Sequence, residues 1–379
     1  MLALLTATVL CAVGCGSEAT TPDGETSGGA AGQGAGPGTG SGGGGGSGGG
    51  TGGGGGDISG GVPGAWCQPI PACDAAPPDP GPKLDWNHTL SAITAAAGAP
   101  NHRGRDLFLN PGEPQWIIGK FAYGLSDKDI KDERVDVYLL RDCGQSWELL
   151  GSTNTTEEDQ HATVEGVEDS GGHVYLEIPA DKALGPGRHR VRLVVRGDLS
   201  ATDLFIEVVP PGTPMFVSDV DGTLTGTETE EFTALLSGEL PDMHPDAPAV
   251  FHALVAKGYH PMYLTARPEW LVGRTRQFVD TYGFPPGIVH TTLTLTGATG
   301  ASAATYKTAE LAGLTERGML PAWAFGNTET DAEAYDSAGV MPIGQRVFYQ
   351  FNDAIFGGRR IESYTELLAE VEALPSLCE

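Results

Sequence analysis

The hydrophobic rhythm of this chain changes once, at Val209-Pro210-Pro211-Gly212-Thr213-Pro214, and that change limits the folds open to it. Ahead of the prolines, apolar residues recur at every second position. WIIGKFAYG (116–124), RVDVYLLRD (134–142), HVYLEIP (173–179), RHRVRLVVRG (188–197) and TDLFIEVVP (202–210) are short and rich in Val, Ile, Leu and aromatics. Gly, Pro, Asp and Asn separate them, as turns separate half-buried strands. No stretch between Lys83 and Pro210 reads as a convincing amphipathic helix. Five or more strands at this spacing predict an antiparallel β-sandwich over residues 67–210, immunoglobulin-like in outline.

Past the prolines, strand patterns alternate with helix patterns. MFVSDV (215–220), YHPMYLTA (259–266), GIVHTTLTL (287–295) and PAWAFGN (321–327) read as strands. DAPAVFHALVAKG (246–258), EWLVGRTRQFVDTYG (269–283), AATYKTAELAGL (303–314) and ETDAEAYDSAG (329–339) read as the helices between them, two of them closed by Gly258 and Gly283. This alternation predicts a parallel sheet covered on both faces, a Rossmann-like α/β domain over 214–379. Ligands of such sheets bind beyond the carboxyl ends of the strands, so the residues there are the candidates for chemistry.

The N-terminal residues belong to neither domain. MLALLTATVLCAVGCGSE is an apolar run of signal-peptide length, too short to span a bilayer. Ala12-Val13-Gly14-Cys15 is similar to a bacterial lipobox with Cys15 as the lipidated residue. From Ser27 to Gly61 the chain is nearly all Gly and Ser, which cannot bury apolar surface. Its mean random-coil reach is roughly 30–35 Å. Residues 1–15 are therefore expected to be an export signal and 16–66 a flexible tether. The expected setting is the bacterial cell envelope, either periplasmic or membrane-associated through the lipid anchor. The protein is expected to be a monomer. Four cysteines follow the tether, Cys67, Cys73, Cys143 and Cys378, consistent with two disulfides in any of three connectivities. The formal charge of −27 argues against a nucleic-acid partner.

The first α/β strand ends in Asp219-Val220-Asp221-Gly222-Thr223. Residues two apart in an extended strand share a face, so both carboxylates can point into one crevice. Their repulsion calls for a counter-charge, and Mg²⁺ supplies one through oxygen ligands. The second strand ends Thr265-Ala266-Arg267, where a hydroxyl at a helix start can bond a phosphate oxygen. Lys307 sits in a helix, where an ammonium could neutralise phosphate and nucleophile together, although a lone helical lysine is usually solvated. The fourth strand ends at Gly326-Asn327, with Asp331 four residues on; both offer oxygens to a metal.

Taken in order, DVDGT (219–223), YLTARP (263–268), YKTAEL (306–311) and FGNTETDAEAY (325–335), followed by AGV, resemble the motifs of the haloacid dehalogenase phosphatase superfamily, and more closely its lipin-type branch. Asn after Gly326 is itself a feature of that branch. The resemblance implies a haloacid dehalogenase-like domain in which Asp219 is the nucleophile and Asp221 the general acid and base. It implies that Thr265 holds phosphate oxygens, that Lys307 stabilises the transferring charge, and that Mg²⁺ is bound by Asp219, the Asp221 carbonyl, and Asn327 or Asp331. Thr223 and Arg267 match motif positions as further substrate-binding residues.

The implied activity is Mg²⁺-dependent hydrolysis of a phosphomonoester, phosphatidate or a soluble one. The same branch includes the lipin-like domains of membrane-associated phosphatidylinositol transfer proteins, which bind phosphatidate without the full acid pair. A non-catalytic phospholipid-binding module is thus the alternative, and a surface adhesion protein acting through its sandwich is a third. From Met215 to Glu379 there are 9 Lys+Arg and 22 Asp+Glu, a balance of −13 that repels anionic lipid surfaces.

Overall fold

The computed structural model describes residues 69–226, 239–352 and 355–378. The export signal, Cys15, the tether and Cys67 lie outside them. Chain order in the first domain is α1 (Thr89–Ala97), β1 (Arg103–Gly104), β2 (Leu107–Leu109), β3 (Trp116–Lys120), β4 (Ala122–Tyr123), β5 (Lys128–Asp129), β6 (Arg134–Leu140), β7 (Trp147–Asn154), β8 (His173–Glu177), β9 (Gly187–Val195) and β10 (Ala201–Val208). A five-stranded sheet, β2-β10-β9-β6-β7, and a three-stranded sheet, β1-β3-β8, enclose one apolar core. Pairing is antiparallel except where β2 runs parallel to β10. Val135, Val137 and Leu139 of β6 and Val191, Leu193 and Val195 of β9 point inward at alternate positions, as the period of two requires.

All five strand patterns read from the sequence of this domain are strands. The exception to the all-β expectation is α1, TLSAITAAA, which leaves Leu90 and Ile93 exposed and buries Ser91. It supplies little to the core, so no apolar stripe marks it in the sequence. Cys73 is bonded to Cys143, which selects one of the three connectivities.

The second domain runs β11 (Pro214–Ser218), α2 (Ala247–Ala256), β12 (His260–Leu264), α3 (Val272–Thr281), β13 (Ile288–His290), α4 (Ala301–Glu316), β14 (Leu320–Gly326), α5 (Glu329–Ser337), β15 (Arg346–Tyr349), β16 (Arg359–Ile361) and α6 (Thr365–Glu372). The sheet order is β13-β12-β11-β14-β15-β16, parallel throughout. Alternation sorts its side chains to two faces. Phe216, Tyr263, Trp323 and Phe325 pack with α2, α3 and α6, whereas Met215, Val217, Met262 and Ala324 pack with α4 and α5. The chain leaves β11 to one side for β12 and returns on the other as β14. This reversal opens a crevice at the carboxyl ends of β11 and β14. GIVHTTLTL is a strand only as far as His290; the threonines turn back to hold the β12 loop. Among the described residues no helix is long and apolar enough to cross a membrane.

The two domains lie in one compact unit. Phe108 and Val209 of the sandwich belong to the apolar core on the α4 face. Asp106, fully buried, takes Arg276 of α3 at 2.7 Å, and buried Glu207 binds both Arg188 and, at 3.2 Å, His260 of β12. Removing one partner of a buried ion pair such as Asp106–Arg276 costs about 3–5 kcal/mol, so that contact joins the domains firmly.

Candidate active site

Asp219 follows β11 directly. Its amide donates to the Phe325 carbonyl of β14 at 2.9 Å, which fixes the carboxylate over the crevice. Oδ1 accepts from the Lys307 ammonium at 2.6 Å and Oδ2 from the Thr223 hydroxyl at 2.9 Å. Lys307 is buried rather than solvated: it projects from α4 and donates also to Asp331 Oδ1 at 2.5 Å. One ammonium thus serves two buried carboxylates. Burial pushes the Asp219 carboxyl up to about 7, against the pull of Lys307, with Asp331 and Asp221 adding to the rise. Burial disfavours the lysine's charge, but Asp219 and Asp331 outweigh it and hold its pKa above the ordinary value. With Asp219 ionised, the cluster is short of one positive charge.

Asp331 closes the start of α5. Its Oδ2 accepts from the amides of Asn327 and Thr328, both at 3.1 Å, while the Thr328 hydroxyl caps the Asp331 amide in return. A Cβ on Gly326 would stand 2.5 Å from the Asp331 Cβ, so this approach needs glycine. With Oδ1 on Lys307 and Oδ2 in the cap, Asp331 has its oxygens engaged. It thereby orients Lys307 and the Asn327 turn and, like Asp219, whose oxygens are also both bonded, keeps lone pairs that a cation could use.

Asn327 reaches the site from β14. Its Oδ1 lies 2.9 Å from the Thr223 hydroxyl, which lies 2.9 Å from Asp219 Oδ2 as well. A hydroxyl carries one proton and can donate to only one of these oxygens. Gly222 makes this approach possible: its φ is +73°, and a Cβ there would sit 2.2 Å from Asn327 Nδ2.

On the other flank, Asp221 is half-open to the crevice. Arg267 grips it with Nη2 at 2.6 Å and Nε at 2.8 Å from Oδ1, and the Thr265 hydroxyl donates to Oδ2 at 2.8 Å. Thr265 and Arg267, expected to hold phosphate oxygens, hold a carboxylate here. Thr275 steadies the guanidinium through Nη1 at 3.0 Å. Asp219, Asp221, Thr223, Thr265, Arg267, Lys307, Asn327 and Asp331 thus stand in one crevice. The sequence reading missed three supports. Tyr335 donates to the Phe325 carbonyl, Tyr364 to the Thr223 carbonyl, and His244 stands 3.3 Å from the Gly222 carbonyl. All three act on backbone, and no motif reports that.

Among the described residues no three His, Cys, Asp or Glu side chains are grouped to hold a metal. The oxygens that converge are instead of mixed type: the Asp219 carboxylate, the Asn327 amide and the Thr223 hydroxyl. Two of them compete for one proton beside an under-neutralised carboxylate. That donor set fits a hard cation such as Mg²⁺.

A β-sandwich joined to a parallel α/β domain with an acidic crevice defines a class that the comparisons match. Residues 100–208 match the family model described as PITM 1-3, beta-sandwich domain, and residues 216–349 match PITM 1-3, LNS2 domain. Over these domains the chain is homologous to membrane-associated phosphatidylinositol transfer proteins. It is 27% identical over 262 residues to protein retinal degeneration B of Drosophila melanogaster, covering 68% of this chain and 19% of that one. It is 28% identical over 210 residues to membrane-associated phosphatidylinositol transfer protein 1 of Homo sapiens, covering 55% of this chain and 15% of the relative. For the human protein 3 the identity is 25% over 210 residues, with 55% and 20% covered. The chain thus spans a fifth or less of these relatives' length. Of the two kinds of protein that its motifs resemble, the matched models are those of the transfer proteins.

Proposed function

We propose that the α/β domain is a haloacid dehalogenase-type, Mg²⁺-dependent phosphatase acting on a phosphomonoester, phosphatidate or a soluble one. The observation that carries this reading is the contact of Asp219 with Lys307 inside a crevice that also holds Asp221, because it puts a nucleophile, a fixed cation and a proton carrier together. Asp219 attacks phosphorus, and the bond to the leaving alkoxide breaks as the aspartyl-phosphate forms. Asp221 gives that alkoxide its proton and then takes one from the water that hydrolyses the intermediate. Lys307 offsets the charge on the equatorial oxygens. Thr265 and Arg267 now bind a carboxylate; an arriving phosphate takes its place and releases Asp221 for proton transfer. Mg²⁺, held by Asp219, the Asp221 carbonyl, and Asn327 or Asp331, would neutralise nucleophile and phosphate together. A lipid anchor at Cys15 would keep an exported enzyme near a bilayer that its own charge does not attract.

A second reading is a phospholipid-binding module without turnover. Two things favour it: the names of the relatives, and the grip of Arg267 on Asp221, the proposed proton carrier. Phosphate release from phosphatidate and from soluble phosphomonoesters, in Mg²⁺ or EDTA, separates the two. Mg²⁺-dependent release abolished by Asp219→Asn supports hydrolysis. Phosphatidate binding with no release under any condition overturns it.

A further inference from the structure

The sandwich strands carry no chemical motif, yet four consecutive residues of this domain reach the elements that hold the crevice. Arg103 Nη2 meets Glu269, in the turn after Arg267, at 2.5 Å. The Gly104 carbonyl accepts from Arg276 of α3 at 3.0 Å. Arg105 Nη2 lies 2.7 and 3.0 Å from the two oxygens of Glu310, one turn beyond Lys307 on α4. The Asp106 carboxylate accepts the Val289 amide of β13 at 3.0 Å.

His290 joins these contacts to the site. Its Nε2 is 2.7 Å from the Asp106 carbonyl and its Nδ1 is 2.5 Å from Glu310. Its own carbonyl accepts the Thr265 amide at 3.0 Å. Two residues on, the Thr292 amide and hydroxyl both donate to the Arg267 carbonyl, at 3.1 and 2.9 Å. The path from the sandwich to Thr265, and from the sandwich to the turn of α4 that bears Lys307, is therefore a chain of direct bonds through buried groups. Residues three apart on a helix share a face, so a shift at Glu310 moves Lys307 with it.

We propose that the sandwich segment Arg103–Asp106 positions the anion-binding half of the site through His290 and Glu310, so that the two domains act as one phosphate-binding unit. This rests on the reading that Thr265 and Lys307 hold phosphate. His290 and Glu310 are positioning residues: neither touches the reacting atoms. Displacing a binding group by a fraction of an ångström is enough to be felt, because a misplacement of about 1 Å can cost on the order of 100-fold.

The test is the affinity of the full chain for inorganic phosphate, measured by calorimetry in Mg²⁺. Glu310→Gln keeps the side chain's size and removes its charge, and is expected to weaken phosphate binding about 10-fold. Arg105→Lys, which keeps the charge and loses the fork, is expected to weaken it less and serves if the first variant folds poorly. Arg317→Gln is the control: Arg317 also pairs across the domains, with Glu165 at 2.7 Å and Glu113 at 3.1 Å, but its pairs do not lead to Thr265. It is expected to leave phosphate affinity unchanged. Unaltered binding in Glu310→Gln and Arg105→Lys, an equal loss in Arg317→Gln, or a wild type that binds no phosphate overturns the inference. A wild type that hydrolyses no phosphomonoester, but whose phosphate affinity falls in Glu310→Gln, upholds it while refuting the phosphatase reading.

Discussion

Asp221 and Arg267 are locked together, guanidinium Nη2 2.6 Å from carboxylate Oδ1, at the place where the proposed mechanism seats a phosphate. The carboxylate is the site's internal anion. It competes with the ligand for Arg267 and Thr265, and it serves the chemistry only when displaced.

Asp221→Ala should therefore separate binding from turnover. Turnover should fall by about 10²–10⁴-fold, the usual contribution of a positioned acid and base. Inorganic phosphate should bind more tightly than to the wild type, because the competing anion is gone. Kinetics and calorimetry on the same sample test this; weaker phosphate binding would show that Asp221 helps to hold the ligand.

Lys307 is the counter-ion of two buried carboxylates. Lys307→Met should cost about 3–5 kcal/mol, since Asp219 and Asp331 would then face each other unneutralised. Adding Asp331→Asn should recover much of that loss while leaving activity absent. Thermal melting of the single and double variants measures both effects.

Mg²⁺ should raise the melting temperature of the wild type in proportion to the logarithm of its concentration above its Kd. Asp219→Asn should lose that response, and EDTA should reverse it in the wild type. A melting temperature indifferent to Mg²⁺ at millimolar concentration would exclude Asp219, the Asp221 carbonyl, and Asn327 or Asp331 as its site.

Gly222→Ala meets two penalties, a φ of +73° and a Cβ 2.2 Å from Asn327 Nδ2. A destabilisation of about 1–3 kcal/mol is expected, together with loss of the Mg²⁺ response as Asn327 is pushed aside. Gly273→Ala, inside α3 where the added Cβ meets nothing, is the control: it should leave the Mg²⁺ response unchanged and raise stability by up to about 1 kcal/mol.

The sandwich should weaken in acid. Burial lowers the pKa of His102 from 6.5 to about 4, although Asp198 pulls the other way. The unfolded chain then binds the proton first, so stability falls as pH drops from about 6.5 to 4, by on the order of 3 kcal/mol at the lower limit. His102→Gln should flatten that part of the pH–stability curve. An unchanged slope in unfolding titrations at pH 4.5 and 7 would count against the assignment.

Much of the crevice is legible in the sequence. Strand-end positions are set by local periodicity, so Asp219, Thr265 and Asn327 fell together once the sheet was parallel. Lys307 was harder: nothing in YKTAEL distinguishes a buried ammonium from a solvated one. The residue type of Asp331 suits a metal, and its bonds to Lys307 and to the α5 cap depend on an approach across Gly326 that spacing does not encode. The helix Thr89–Ala97 escaped because it buries too little to pattern its sequence.

The sequence by itself determined the two rhythms, their boundary at the prolines, the placement of an acid pair at a strand end, and the donor types available around it. Each depends on neighbours within one strand or one helix turn. Tertiary structure decided the pairings: Lys307 between two carboxylates, Arg267 on Asp221, Thr223 between Asp219 and Asn327, and the sandwich bonded to the site through His290. Those partners are separated by up to about two hundred residues, and only packing brings their charges close enough, in a medium dry enough, for the interaction to matter.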